Sequence, residues 1–302
     1  MATSSGVKRS WQRVDGVLLL DKATGITSNS ALQGARRLFS AAKAGHTGTL
    51  DPLATGLLPL CFGEATKFSA DLLDADKTYE ADVLFGVTTD TGDADGAVIR
   101  QCRPAFGISD LEAAMGSFRG AITQVPPMYS ALKVDGKPLY RLARQGIEIE
   151  RTPRQVSILE LQLLDFAGER CRFHISCSKG TYIRTLMEDI GNALGCGAHL
   201  TALRRVRVGA LSIAKAFTLD QLLALPETER AICLLPPDAL LQSLPTVHLD
   251  EGASLRFCNG NPVQIGVDGV LGKCRVYDTN RLLGVGEADA SGSVKPKRLV
   301  CV

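Results

Sequence analysis

Gly45-His46-Thr47-Gly48-Thr49-Leu50-Asp51-Pro52-Leu53-Ala54-Thr55-Gly56-Leu57-Leu58 is the densest unusual stretch of the chain. Three glycines, a proline and several hydroxyls mark it as a loop. Asp51 precedes a proline, which biases its backbone toward an extended conformation. An acid on such a loop, flanked by apolar Leu50 and Leu53, can project into a cleft. The same residues also suit a plain Asx-type turn, which short polar loops form often. A phosphate-binding loop is excluded, because the Gly-Lys-Ser/Thr ending that supplies its lysine and metal-binding hydroxyl is missing.

Working outward, strand-like and helix-like segments mix without regular alternation. Val14 to Leu20 reads as a strand ending at Asp21, and Ser28 to Phe39 as a helix capped by Thr27 or Ser28. Thr78 to Phe85 is strand-like. Ser109 to Phe118 reads as a helix with Ser109 and Glu112 in capping-box spacing. Pro138 to Gln145 reads as a short helix stopped by Gly146. Cys171 to Ser178 alternates as a strand, with Arg172, His174, Ser176 and Ser178 on its polar face. Thr181 to Leu194 reads as a helix stopped at Gly195, and Pro237 to Leu244 as a final short helix. Beyond Pro245, Val263–Gly266, Lys273–Tyr277, Leu282–Gly286 and Lys297–Val302 are short strand candidates between Gly, Asp and Asn turns. The order predicts a flexible N-terminus (1–12), an α+β catalytic domain on a mixed or antiparallel sheet with flanking helices (13–246) and a small all-β module (247–302).

The bulk numbers bound the function classes. The chain has 302 residues, 45% hydrophobic and 22% charged, with a formal net charge of +2. That balance suits a folded domain but does not announce a nucleic-acid binder, so any RNA site must come from local clustering of Lys and Arg. Nine cysteines, none in a CxxC pair, argue for buried free thiols in a reducing compartment rather than a disulfide or zinc framework. No apolar run approaches the ~20 residues of a membrane helix. Met1 to Trp11 lacks the apolar stretch of a signal peptide. A cytoplasmic location is the expectation.

The Gly45 to Leu58 stretch resembles the signature of the TruB family of tRNA pseudouridine synthases, Gly-His-x-Gly-x-Leu-Asp-Pro-x-Ala-x-Gly-x-Leu, with Asp51 on the catalytic aspartate. The likeness continues along nearly the whole chain. Gly16 to Ser28 resembles the family's opening strand and Lys-Pro-x-Gly-x-Thr-Ser turn, although Ala23 stands in the proline position. Lys77-Thr78-Tyr79 matches Lys-x-Tyr, and Thr89 to Gly96 matches Thr-Asp-Thr-x-Asp-x-x-Gly. Gln124 to Gly136 matches Gln-x-Pro-Pro-x-Tyr-Ser-Ala-Leu-Lys-x-x-Gly. Ser178 to Leu186 matches Ser-Lys-Gly-Thr-Tyr-Ile-Arg-x-Leu, followed by Leu203-Arg204-Arg205. Six ordered motifs of this length are a specific signal.

The resemblance implies a pseudouridine synthase-like core with a PUA-like C-terminal β domain. It implies isomerisation of uridine-55 in the T stem-loop of tRNA, without cofactor, metal or guide RNA, by a monomer. Asp51 would act as the catalytic carboxylate, Arg184 as its paired cation and Tyr79 as a stacking residue that also assists proton removal. His46 would help hold the flipped nucleotide out, Tyr182 would lie beneath it and Leu203 would floor the pocket. Taken alone, Arg184 reads equally as a surface arginine at a helix start. Lys22, Lys67, Lys133, Arg141, Arg144, Arg204, Arg205 and Arg207 are candidate RNA-backbone contacts, which together would make affinity steeply salt-dependent. His174, His199 and His248 have no assigned role, and Phe118 and Phe173 are assigned to the core. Three other readings stay open: a non-catalytic tRNA-binding module, a carboxylate-dependent nucleoside hydrolase, and a guide-dependent family member.

Overall fold

The computed structural model describes residues 10–266 and 269–300. Eight strands form the spine of the large sheet: β1 (Gly16–Lys22), β2 (Thr55–Phe62), β3 (Lys77–Phe85), β4 (Gly120–Gln124), β5 (Arg154–Ala167), β6 (Arg170–Cys177), β7 (Ala198–Val208) and β8 (Leu234–Leu235). Their order is β8-β1-β2-β7-β3-β6-β5-β4. Along this order every neighbouring pair is antiparallel except β2–β7, which is parallel. That junction is tight: a Cβ on Gly56 would lie 2.4 Å from the Arg205 carbonyl oxygen, and Gly56 has φ +99. Glycine is required there, because any side chain would push the two strands apart.

Both faces of this sheet are covered. Leu18 and Leu20 face the core shared with helices α1 (Ser28–Leu38) and α3 (Ile183–Ala193), whereas Val17 and Leu19 face a second core with Phe68, Leu240 and Leu241. Burial on both sides is why Val17 to Leu20 is continuously apolar rather than alternating. In α3, Ile183, Leu186, Met187 and Ile190 recur at helical spacing and are buried. Between these helices in sequence lies α2 (Ile108–Gly116).

The C-terminal sheet contains β9 (Thr246–His248), β10 (Val263–Gln264), β11 (Gly272–Tyr277), β12 (Leu282–Ala288) and β13 (Ser293–Leu299), in the order β9-β11-β12-β13-β10. It also carries a helix, α4 (Glu251–Cys258), in a stretch whose reading from sequence contained none. Val285 enters the second core of the large domain. Lys67 Nζ donates to the Leu299 carbonyl at 2.9 Å, and Lys273 pairs with Asp71 at 3.1 Å. The small sheet is therefore packed and bonded onto the large one.

Several sequence expectations shift. Strand β1 runs through Asp21, whose carboxylate is held by Arg204. Helix α2 is capped at Gly107, whose N–H donates to the Asp110 carboxylate at 2.8 Å. Glu112 instead pairs with Arg119 at 3.2 Å, so the Ser109–Glu112 box is not used. The short helix expected after Pro138 spans Leu139–Ala143, and the final one is a 3-10 turn over Pro237–Leu241. Gln12 is tied down through its N–H to Ser40 and its carbonyl to the Ala42 N–H, while residues 1–9 of the expected flexible terminus lie outside the described residues. So do Cys301 and Val302, the end of the expected last strand.

Candidate active site

The Asp51 loop leads directly into β2 at the parallel junction, and its backbone is pinned on several sides. Ser28 sits at the start of α1, where Thr27 does the capping. Its hydroxyl is thus free to accept from the Leu50 N–H at 2.8 Å and donate to the Leu50 carbonyl at 2.9 Å. The Pro52 carbonyl accepts from the Gly25 N–H at 2.8 Å and from Lys22 Nζ at 3.3 Å. Lys22 also donates to the carbonyls of Ala23 and Ile26, at 2.9 and 2.8 Å. On the other side Arg205 donates to the carbonyls of Gly48 and Leu57, at 3.1 and 2.8 Å. A turn does form, but through the backbone: the Asp51 carbonyl accepts from the Ala54 N–H at 3.1 Å, and the carboxylate points elsewhere.

That carboxylate meets Arg184 at 3.0 Å. Arg184 is no surface residue: it is 4% exposed, in the first turn of α3. It donates to the carbonyls of Thr91 and Tyr129, both at 2.7 Å, and its Nε lies 3.6 Å from Asp93. Four fixed partners match the rigid fork of a guanidinium and would not suit a lysine. Burial pushes the Asp51 carboxyl above its usual range; Arg184, and more weakly Lys22, pull it back toward the ionised form, while Asp93 opposes them. The Asp51 side chain keeps 40% of its surface open, so the acid is reachable although its partner is not.

It opens onto a cleft of about 730 Å³ that His46, Tyr79, Tyr182, Arg184 and Leu203 also line. Tyr79 lies on β3, in register with Arg205 on one side and Ile175 on the other. Burial pushes its hydroxyl above the ordinary value of 10, so it meets a substrate as a neutral phenol. Tyr182 directly precedes α3, and Gln124, 1% exposed, grips its backbone: the Tyr182 N–H donates to Gln124 Oε1 at 3.0 Å and Gln124 Nε2 donates to the Tyr182 carbonyl at 3.1 Å. The Arg154 guanidinium stacks 4.8 Å from the Tyr182 ring centroid. Burial and Arg205 lower the pKa of His46, which favours the neutral imidazole. Ser28, Asp93 and Gln124 stand inside the quoted motifs without having been singled out as site residues, and Arg154 stands outside all of them. The first three act on backbone or on Arg184, a role that residue type alone does not announce.

The eight basic candidates divide. Lys22 and Arg205 are 1% and 2% exposed, with their donors committed to carbonyls, so they hold the loop and are not phosphate contacts. Burial also lowers the pKa of Lys22 to about 8. Lys67 is bonded to Glu64 at 2.7 Å and to Leu299, which makes it a tie between the two sheets. Arg204 is taken up by Asp21 at 2.6 and 3.1 Å. Lys133, Arg141, Arg144 and Arg207 face solvent, with Arg144 5.7 Å from the Tyr140 ring centroid. Among the described residues no group of three His, Cys, Asp or Glu side chains is placed to hold a metal ion.

Residues 36–183 match the TruB family pseudouridylate synthase N-terminal domain, 184–242 the tRNA pseudouridylate synthase B C-terminal domain, and 245–300 the pseudouridine synthase II TruB C-terminal domain. The chain is 60% identical to tRNA pseudouridine synthase B of Dechloromonas aromatica (strain RCB), over 97% of this chain and 98% of that one. It is 57% identical to the protein of the same name from Azoarcus sp. (strain BH72), over 95% of each. In fold it is similar to the crystal structure of a Cbf5-Nop10-Gar1 complex, with a TM-score of 0.73 at 23% identity over 98% of this chain and 92% of that one. No described helix is long and apolar enough to cross a membrane. The chain belongs to the TruB family of pseudouridylate synthases.

Proposed function

We propose that this chain isomerises uridine-55 in the T loop of tRNA to pseudouridine, as a cytoplasmic monomer that needs no guide RNA. The observation that carries this reading is the Asp51–Arg184 pair, 3.0 Å apart, in a cleft that Tyr79, Tyr182 and Leu203 also line. The reaction breaks the C1′–N1 bond of the nucleotide, turns the uracil and joins C1′ to C5. The C5 proton is lost and N1 gains one, so no atom is added or removed overall. A carboxylate is the group the glycosyl step calls for, and Arg184 favours its ionised form against burial. The nucleotide must leave its stack, at a cost of a few kcal/mol, roughly. Stacking on Tyr79, worth ~1–3 kcal/mol per base, offsets much of that. A T loop suits such an enzyme, because loop bases can be splayed out and read individually.

The test is to incubate the pure chain with an unmodified tRNA transcript, without cofactor, metal or guide RNA, and map pseudouridine by position. Modification at position 55 is expected. Free uracil as product would make it a hydrolase, modification elsewhere would overturn the position, and binding without product would make it a tRNA-binding module.

A further inference from the structure

We infer that Arg154 is a phosphate-binding residue of the cleft, neutralising a phosphodiester of the RNA strand beside the nucleotide that enters it. This rests on the reading of the cleft as an RNA site. Four side chains that line the cleft are cationic: Lys77, Arg154, Arg184 and Arg205. Arg184 is paired with Asp51 and Asp93. Lys77 and Arg205 are 8% and 2% exposed, and each donates to two backbone carbonyls. Arg154 differs in exposure and in charge pairing. It is half-buried, and among the described residues no carboxylate pairs with it.

Its placement is built rather than incidental. Arg154 opens β5 opposite Gln124, the residue that grips the Tyr182 backbone. Its Nη2 donates to the Gly180 carbonyl, and its guanidinium lies over the Tyr182 ring. Stacking and one hydrogen bond fix the plane of the group without discharging it. Nη1 takes no protein partner among the described residues, and Nε is buried without one. Nε is buried, but Nη1 and the second Nη2 hydrogen are unspent, and a guanidinium held this way without a counter-charge matches an anion that accepts two parallel hydrogen bonds. In an RNA cleft that anion is a phosphate. Tyr182 then has two jobs: one face meets the nucleotide and the other holds the arginine that meets the backbone.

The test measures binding of a T stem-loop RNA to the full chain across a series of salt concentrations. Asp51→Asn serves as the background, so that bound RNA does not turn over. Adding Arg154→Gln is expected to weaken binding roughly tenfold near 0.1 M salt. It should also reduce the slope of log affinity against log salt by about 0.7–0.9, the share of one phosphate. Arg154→Lys keeps the charge and is expected to keep the slope, which separates charge neutralisation from a folding defect. An unchanged slope in Arg154→Gln, whatever its affinity, overturns the assignment. So does a slope lost equally in Arg154→Lys. Turnover of the unmutated chain is followed in parallel: failure to form pseudouridine there counts against the proposed reaction, while the salt slopes still decide Arg154.

Discussion

Replacing Arg184 by Met removes the cation that, among the described residues, pairs with Asp51, and leaves burial as the dominant influence on its carboxyl. An arginine beside a carboxylate lowers its pKa by about 1–3 units. Each unit is worth about 1.4 kcal/mol, so the acid limb of the rate profile should move up by that much. The variant also loses the bonds to Thr91 and Tyr129 that fix where the fork sits. Misplacement of a reacting group by ~1 Å costs about a hundredfold. Together these predict a rate at pH 7 lower by about a hundredfold or more, with part of the loss recovered as rising pH ionises Asp51. Arg184→Lys restores charge without the fork, so it should keep the acid limb near its original position yet remain slow. The assay is single-turnover pseudouridine formation from pH 5 to 9, with circular dichroism and RNA binding as controls for folding. Folding needs that control because Asp93 would be left as a buried unpaired charge, costing about 3–5 kcal/mol. A folded, RNA-binding Arg184→Met protein with near-normal rate and an unmoved acid limb would refute the reasoning.

Three further outcomes follow from the way the loop and helix are held. Lys22→Met removes the side-chain donor to the Ala23 and Ile26 carbonyls, while the Pro52 carbonyl keeps the Gly25 N–H, and should cost about 2–4 kcal/mol in urea unfolding. It should leave the salt slope of RNA binding unchanged, since Lys22 is 1% exposed. Ser28→Ala unpairs both backbone groups of Leu50, with a similar expected cost of about 2–4 kcal/mol; it should slow turnover well beyond any change in RNA affinity, and equal losses in both would contradict a positioning role. Glu188 sits one turn beyond Arg184, where burial first, then Asp189 and Asp93, raise its carboxyl from 4.5 to about 7. The folded protein therefore holds that proton more tightly than the unfolded chain, and stability declines as pH rises from about 4.5 to 7. Glu188→Gln escapes that decline and should be more stable than the original chain by about 1–2 kcal/mol at pH 8, after allowance for its partial exposure, with no difference at pH 4.

How much of this was legible in the sequence depends on the kind of residue. Asp51, Tyr79, Tyr182, Arg184, Leu203 and His46 stand in dense motifs, and the fold brings all six to one cleft. The alternation of Cys171 to Ser178 and the apolar spacing in Ile183 to Ile190 gave their elements directly. Strand β5 escaped because bulges at Ile158/Glu160 and Leu163/Asp165 break its period-2 pattern. Helix α4 escaped because it is short and weakly amphipathic, although Asp250 caps it by accepting from the Ala253 N–H. The basic residues were the least legible. Lys22, Arg204 and Arg205 look alike on paper as cations near motifs, but what decides their role is whether a carbonyl or a carboxylate lies within reach, which pairings distant in sequence determine. Arg154 shows the converse, a residue outside every quoted motif that folding leaves with an unspent charge.

The central claim is that the Asp51 carboxylate does the chemistry and does not merely shape a loop. Asp51→Asn changes an oxygen to an amide and leaves the backbone turn to Ala54 in place. Incubated with an unmodified tRNA transcript, it should bind within a few-fold of the original affinity and yield no pseudouridine at position 55 over many wild-type turnover times. Pseudouridine at that position, formed by the variant at a rate comparable to the original chain, would contradict the account.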